Sequence, residues 1–182
     1  ILTSNYLIVA LMRKGNSWLL AFDPKTGAVV WEKERNYKTP PECDHSYATP
    51  TLIEHKGKEA ILVWGAERLS AHSAKDGEMH WVSTGFNPKQ KKNWVVVGSQ
   101  VVVGDIAIVP YGRGTHMKGV RMGGTGDVTE SNLLWTRTDT GCFVPSPAVA
   151  HGKVYVLRDR GEVHCIDPET GKSHWEDAFP RA

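Results

Sequence analysis

The sequence predicts an all-β fold of about four four-stranded antiparallel sheets, the first of them incomplete. Three observations predict it. One turn-plus-tryptophan pattern recurs along the chain. The runs between its copies are short, rich in Val, Ile, Tyr and Trp, and bounded by Gly, Asp or Pro, with no sustained helical periodicity. Tryptophan is abundant, seven in 182 residues, and four of the seven close a copy of the pattern.

Two copies read apolar-Asp-Pro-x-Thr-Gly-x-x-x-Trp: Ala21 to Trp31 and Cys165 to Trp175. A looser copy runs from Ala71 to Trp81, with Ser73-Ala74-Lys75-Asp76-Gly77 as its turn. The fourth ends at Leu133-Leu134-Trp135, its turn enlarged to Gly123–Asn132. The turn has a mechanism. Asp accepts backbone N–H groups two residues on, Pro presets φ, and Gly supplies the positive φ that closes the loop. Trp31, Trp81, Trp135 and Trp175 lie 50, 54 and 40 residues apart, which suits a propeller blade of about 40–45 residues. The blades span approximately residues 1–37, 38–86, 87–141 and 142–182.

In order, blade one supplies Tyr6–Met12, Trp18–Phe22 and Ala28–Glu34, lacking an innermost strand and leaving an unpaired edge at Tyr6–Met12. Blade two supplies Tyr47–Ile53, Ala60–Trp64, Arg68–Ser73 and Glu78–Ser83. Blade three supplies Val95–Val103, Ile106–Tyr111, Gly119–Met122 and Leu133–Thr138. Blade four supplies Val144–Ala150, Val154–Arg158, Glu162–Ile166 and Lys172–Asp177. Its second and third strands are apolar at successive positions, as expected where both faces are covered by stacked sheets. Less than a full ring of blades is present, and the chain starts at Ile1 without a signal pattern, so we read it as a fragment.

Composition narrows the function classes. Hydrophobic residues at 40% and charged residues at 23% fit a globular protein. No apolar run approaches the roughly 20 residues of a transmembrane helix. A formal net charge of +2, from 22 basic and 20 acidic side chains, gives no electrostatic case for nucleic acid. Cys43, Cys142 and Cys165 are dispersed and form no disulfide scaffold.

At Asp-Pro-x-Thr-Gly-x-x-x-Trp the chain resembles the PQQ-like (quinoprotein-type) β-propeller repeat with its tryptophan-docking motif. Thr125–Glu130, leading to Leu134-Trp135 and on to Phe143–Pro147, is similar to exported PQQ-binding-like β-propeller repeat proteins. The resemblance implies a ring of seven or eight blades and a periplasmic or extracellular location. It also implies relatives of two kinds, quinoprotein alcohol dehydrogenases and an envelope-assembly lipoprotein. The dehydrogenases of this group use adjacent cysteines and a calcium-held carboxylate beside the quinone. This chain has no Cys-Cys pair, Asp23 and Asp167 are explained by turns, and Asp105, Asp127 and Asp159 fall in connections. No cofactor is therefore expected for this segment. PQQ with calcium belongs only to the alternative in which further blades carry a dehydrogenase site.

Trp31, Trp81, Trp135 and Trp175 are expected to pack on neighbouring blades, because a single ligand does not need one stacking residue per blade. Pro41–Ser46 contains Cys, Asp and His, but adjacent ligands diverge in direction, so no metal site is expected. The candidate binding site is the mouth of the central channel. His45 and Tyr47, Val96, and Phe143 and Val144 sit at the entry to the innermost strands of blades two, three and four, where propellers bind protein or small-molecule partners. The eight histidines are expected at surfaces or edges, and Lys89–Lys92 in a solvated loop. Three function classes remain: a non-catalytic scaffold of the cell envelope, part of a quinoprotein dehydrogenase, and an assembly or sensor domain of a larger protein. The remaining blades of the same propeller are the first expected partner in each.

Overall fold

Turn chemistry sets the local structure in the computed structural model, which describes residues 1–179. The Asp23 carboxylate accepts the N–H groups of Lys25 (2.7 Å) and Thr26 (2.9 Å), and Gly27 N–H donates to Asp23 O at a φ of 73°. Those bonds hold the Asp23 carboxyl below the usual carboxylate range. Asp167 and Gly171 repeat the arrangement. In the looser copy Ser73 takes the place of Asp: its hydroxyl accepts Lys75 N–H at 3.2 Å, and Gly77 N–H donates to Ser73 O.

The turns join strands into four sheets. Blade one holds β1 (Leu7–Leu11), β2 (Trp18–Phe22) and β3 (Val29–Glu34). Blade two holds β4 (Thr51–His55), β5 (Lys58–Gly65), β6 (Arg68–Ser73) and β7 (Met79–Ser83). Blade three holds β8 (Val101–Val103), β9 (Ile106–Tyr111), β10 (His116–Arg121) and β12 (Leu133–Arg137). Blade four holds β13 (Ala148–Ala150), β14 (Lys153–Leu157), β15 (Glu162–Ile166) and β16 (Ser173–Ala178). Consecutive strands pair antiparallel. The chain is thus an all-β propeller segment. The last predicted span, 142–182, runs into residues 180–182, which lie outside the described residues.

Three expectations need correction. First, the enlarged turn of blade three contains a strand, β11 (Gly126–Asp127), that pairs parallel with β7. Blade two is therefore five-stranded, and one of its ladders is not antiparallel. Val128 N–H donates to Val82 O, and Thr84 N–H to the Thr129 hydroxyl, so the loop straps blade three onto blade two. Second, the innermost strands start later than expected, at Thr51, Val101 and Ala148. The residues before them bond across blades instead, Tyr47 N–H to Val96 O and Gly98 N–H to Phe143 O, and in blades two and four Pro50 and Pro147 have no N–H to donate. Third, not all histidines are peripheral. His55, His72 and His164 are buried.

A bulge recurs at one place in every blade. The register shifts at Ala21/Phe22, Ala71/His72, Gly119/Val120 and Cys165/Ile166. The small residue ahead of each shift pairs with the repeated tryptophan: Ala21 with Trp31, Ala71 with Trp81, Gly119 with Trp135, Cys165 with Trp175. The extra residue is Val30, His80, Leu134 or His174, and it re-aims the tryptophan that follows.

Apolar alternation divides each middle strand between two junctions. Ile61 and Val63 join the core of blades one and two, while Leu62 and Trp64 join that of blades two and three. In β9, Ala107 and Val109 face blade two, and Ile106 and Ile108 face blade four. This two-sided burial explains the continuous apolar runs. The end blades keep one open face each, with Leu7, Val9 and Leu11 at 38% exposure on β1 and Trp175 at 48% on β16.

Candidate functional site

Chain direction assigns every segment to one of two ends. Innermost strands β4, β8 and β13 run downward, so the connections before them form the upper end together with the β5–β6, β9–β10 and β14–β15 turns. The Asp-x-x-x-Gly turns form the lower end.

At the upper end the structure brings the mouth segments into one ladder across blades. Tyr47 N–H donates to Val96 O (2.9 Å), Val96 N–H to His45 O (3.2 Å), and Gly98 N–H to Phe143 O (2.8 Å). Hydroxyls extend it: Thr49 N–H donates to Ser99 Oγ and Ser99 N–H to Ser146 Oγ, each at 2.9 Å. Thr49, Ser99 and Ser146 hold one repeat position. Gly98 is required by close approach, because a Cβ there would lie 2.8 Å from Pro145 O. Where the other blades have Pro, blade three has Gln100, whose Nε2 donates to Thr49 O, the Thr51 hydroxyl and Leu62 O.

This ladder presents Tyr47 at 74% exposure and Val144 at 62%. His45 is half-buried, with Nδ1 3.7 Å from the Asp44 carboxylate. Val96 is buried in the core between blades two and three, so its share of the mouth is backbone. Phe143 is half-buried, with the Arg113 guanidinium 4.4 Å from its ring centre. Asp159 orders this corner by accepting the N–H groups of Phe143 (2.9 Å) and Val144 (3.0 Å).

Behind the mouth, between blades one and two, lies a cation with no sequence signal as a site residue. Arg35 is 1% exposed. It donates to Gly65 O (3.0 Å), Arg68 O (3.1 Å) and Ser70 Oγ (3.1 Å). Burial lowers its pKa to about 10. Ser70 Oγ also lies 2.9 Å from His72 Nε2, and His72 Nδ1 lies 3.0 Å from Gly77 O. Because Ser70 accepts from Arg35, it donates to Nε2 of a neutral His72, whose Nδ1–H donates to Gly77 O. Burial, followed by the charge of Arg35, pushes the His72 pKa down to about 4.

The repeated tryptophans lie away from the mouth. Trp31 Nε1 donates to Ala74 O of blade two at 3.3 Å, and a Cβ on Gly77 would lie 2.6 Å from its ring. Trp135 Nε1 donates to Pro168 O of blade four at 2.8 Å, and a Cβ on Gly171 would lie 2.5 Å from its ring. Trp81 is fully buried beneath the strap of blade three. Trp175 is near Tyr155 of its own blade, with ring centres 6.1 Å apart. A Cβ on Gly27, in blade one's turn, would meet nothing within 4 Å. A cleft of about 850 Å³ also lies at the lower end, between blades one and two. Its wall includes His55 and His80, stacked at 4.5 Å.

Sequence reasoning missed Arg35, Arg68, Arg113 and Asp159 as mouth-forming residues. Cys43, Cys142 and Cys165 are buried free thiols. Burial raises the Cys142 pKa to about 12.

Comparison with known proteins fits this geometry. No curated protein sequence gives a significant match. Among solved structures, BamB from Moraxella catarrhalis is similar at 17% identity and a TM-score of 0.65, over 97% of this chain and 50% of that one. Quinohemoprotein alcohol dehydrogenase from Comamonas testosteroni is similar at 16% identity and a TM-score of 0.70, over 98% of this chain and 34% of that one. Both likenesses concern the fold, and the chain spans half or less of each protein. The family profile described as outer membrane protein assembly factor BamB matches residues 3–177. With nearly its whole length matched, the chain belongs to this family of PQQ-like β-propeller repeat proteins.

Proposed function

We propose that the chain is a segment of a larger β-propeller that serves as a non-catalytic protein-binding scaffold of the cell envelope, and that it binds through its upper end. One observation carries this reading. A ladder of hydrogen bonds across three blades holds Tyr47 and Val144 out in solvent, at 74% and 62% exposure. Apolar groups fixed in an exposed position favour burial by a partner. The family match supports an envelope setting, and no helix among the described residues is long and apolar enough to cross a membrane.

The repeated tryptophans have a packing role in this reading. Trp31 and Trp135 each donate to the next blade's turn, while Trp175 and the Gly27 turn are a free knob and a free socket of the same kind. Remaining blades of the propeller would fill both. No quinone or calcium is assigned to these residues. The likeness to a quinohemoprotein dehydrogenase keeps an enzyme as the second reading, with its cofactor held by other blades.

The test is photo-crosslinking in cells with a reactive residue at position 47 or 144, against control positions 29 and 169 on other surfaces. The scaffold reading expects a discrete protein adduct from 47 and 144 alone. Equal labelling at all four positions would oppose it.

A further inference from the structure

Charge is unevenly distributed between the ends of this chain. Segments 13–17, 35–50, 65–68, 84–100, 111–116, 138–147 and 158–161 make up the upper end and hold eleven Lys or Arg against five Asp or Glu. The remaining sequence holds eleven against fifteen. A net charge of +2 therefore conceals a basic upper end.

Pairing adds to the contrast. Among the described residues, Arg158, with Glu162 at 3.9 Å, is the one upper-end cation that has an ionic partner. Outside these segments, Lys33, Arg121, Arg137 and Lys153 all have one. Three of the unpaired upper-end cations are instead placed on aromatic rings at the rim. Arg68 lies 4.1 Å from the centre of Tyr37, Lys91 5.3 Å from that of Trp94, and Arg113 4.4 Å from that of Phe143. These pairs follow one another around the junctions of blades one to four. Arg68 Nη1 donates to Ala66 O and Arg113 Nη1 to Asn93 O, which holds each guanidinium in place with other N–H groups free. Lys91 is fixed through its backbone: its N–H donates to Asn87 Oδ1 (2.9 Å), and its carbonyl accepts Asn87 Nδ2 (2.7 Å). The two guanidiniums, held in this way, lose little freedom on meeting an anion.

We infer that the upper end binds an extended acidic peptide segment of a partner protein, one in which Asp or Glu alternates with apolar residues. The inference rests on the scaffold reading and names its partner's chemistry. Carboxylates meet Arg68, Lys91 and Arg113, and apolar side chains cover Tyr47 and Val144. Single-stranded nucleic acid fits less well. Its bases need open aromatic faces, whereas Tyr37, Trp94 and Phe143 are half-buried, each with a cation of this chain against its ring.

Fluorescence anisotropy on the complete protein tests this with four labelled probes: an alternating Glu-Leu peptide, the same peptide with Lys for Glu, a thymidine oligonucleotide and a sulfated oligosaccharide. The Glu-Leu peptide is expected to bind tightest and to weaken with salt. The triple variant R68Q/K91Q/R113Q should weaken it about tenfold, the combined loss expected for three exposed rim charges. The control R121Q, outside the upper end, should leave it unchanged. If the triple variant melts early, the single variant K91Q and the mouth variant V144S supply the readout, with weaker binding expected from each. Equal binding of the Lys peptide, equal loss in R121Q, or tighter binding of the oligonucleotide or glycan would overturn the inference. A position-47 crosslink to a partner that lacks an acidic stretch would end the inference and leave the scaffold reading standing.

Discussion

Trp135 and Trp175 hold the same repeat position in different surroundings, so replacing each by alanine isolates what blade contact contributes. Trp135 is 9% exposed, lies against Gly119 and Gly171, and donates Nε1–H to Pro168 O at 2.8 Å. Trp175 is 48% exposed. Trp135→Ala opens a cavity between blades three and four and leaves the Pro168 carbonyl without its donor. The expected cost is about 3–5 kcal/mol, the range for deleting a buried aromatic. Trp135→Phe keeps most of the ring and loses the donor, at about 1–2 kcal/mol. Trp175→Ala should cost about 1 kcal/mol or less, because much of its surface already meets solvent. Urea melts of the 182-residue chain, followed by circular dichroism, read the difference. With a slope of about 2 kcal/mol/M, Trp135→Ala should lower the midpoint by about 2 M and Trp175→Ala by under about 0.5 M. Equal losses would refute the packing role, because exposure and hydrogen bonding would then be irrelevant to these tryptophans.

Two glycines in equivalent turns should differ for the same reason. Gly77→Ala meets both a φ of 74° and the Trp31 ring, and should destabilise by about 2–3 kcal/mol in thermal melts. Gly27→Ala meets the φ of 73° alone and should cost about 1 kcal/mol. His72 should make the fold acid-sensitive. Its pKa of about 4 lies below the unfolded value of 6.5, so unfolding takes up a proton between those values. Its contribution is complete above pH 6.5 and falls away as pH drops toward 4, by up to about 3 kcal/mol. H72Q should flatten that window in stability measured against pH, and an unchanged slope would remove His72 as its source. The open apolar faces of blades one and four should make the isolated chain self-associate, which light scattering at rising concentration would show as rising mass.

Much of the fold was legible because turn chemistry is local. Asp23, Asp167 and their glycines announce hairpins through residues at most four positions apart. Even Ser73 could stand for Asp, because a hydroxyl accepts the same N–H. The bulges at Val30, His80 and His174 were hidden inside a constant Gly-to-Trp spacing, and that at Leu134 behind an enlarged turn. β11 was unreadable for another reason: Gly126-Asp127 has no apolar pattern, and its partner, Trp81-Val82, is chosen by backbone contact across a blade junction. The mouth was readable in part. Counting strands placed Tyr47 and Val144 at the end where the structure has them, but the ladder through Thr49, Ser99 and Ser146 joins residues nearly 50 positions apart. The placement of Arg68 and Arg113 over Tyr37 and Phe143 was not legible, because it depends on rings distant in sequence. His72 and His164 were misread as peripheral, because burial between stacked blades leaves no trace in a single strand.

The central claim is that this segment is a scaffold whose tryptophans are committed to packing and whose contacts are made at the upper end. Equilibrium dialysis of the complete protein against PQQ with and without calcium, monitored by tryptophan fluorescence, tests it most directly. The account predicts no retained quinone, no calcium-dependent quenching and an unchanged melting temperature. Stoichiometric retention with a micromolar dissociation constant, accompanied by stabilisation on binding, would contradict it and establish the dehydrogenase reading instead.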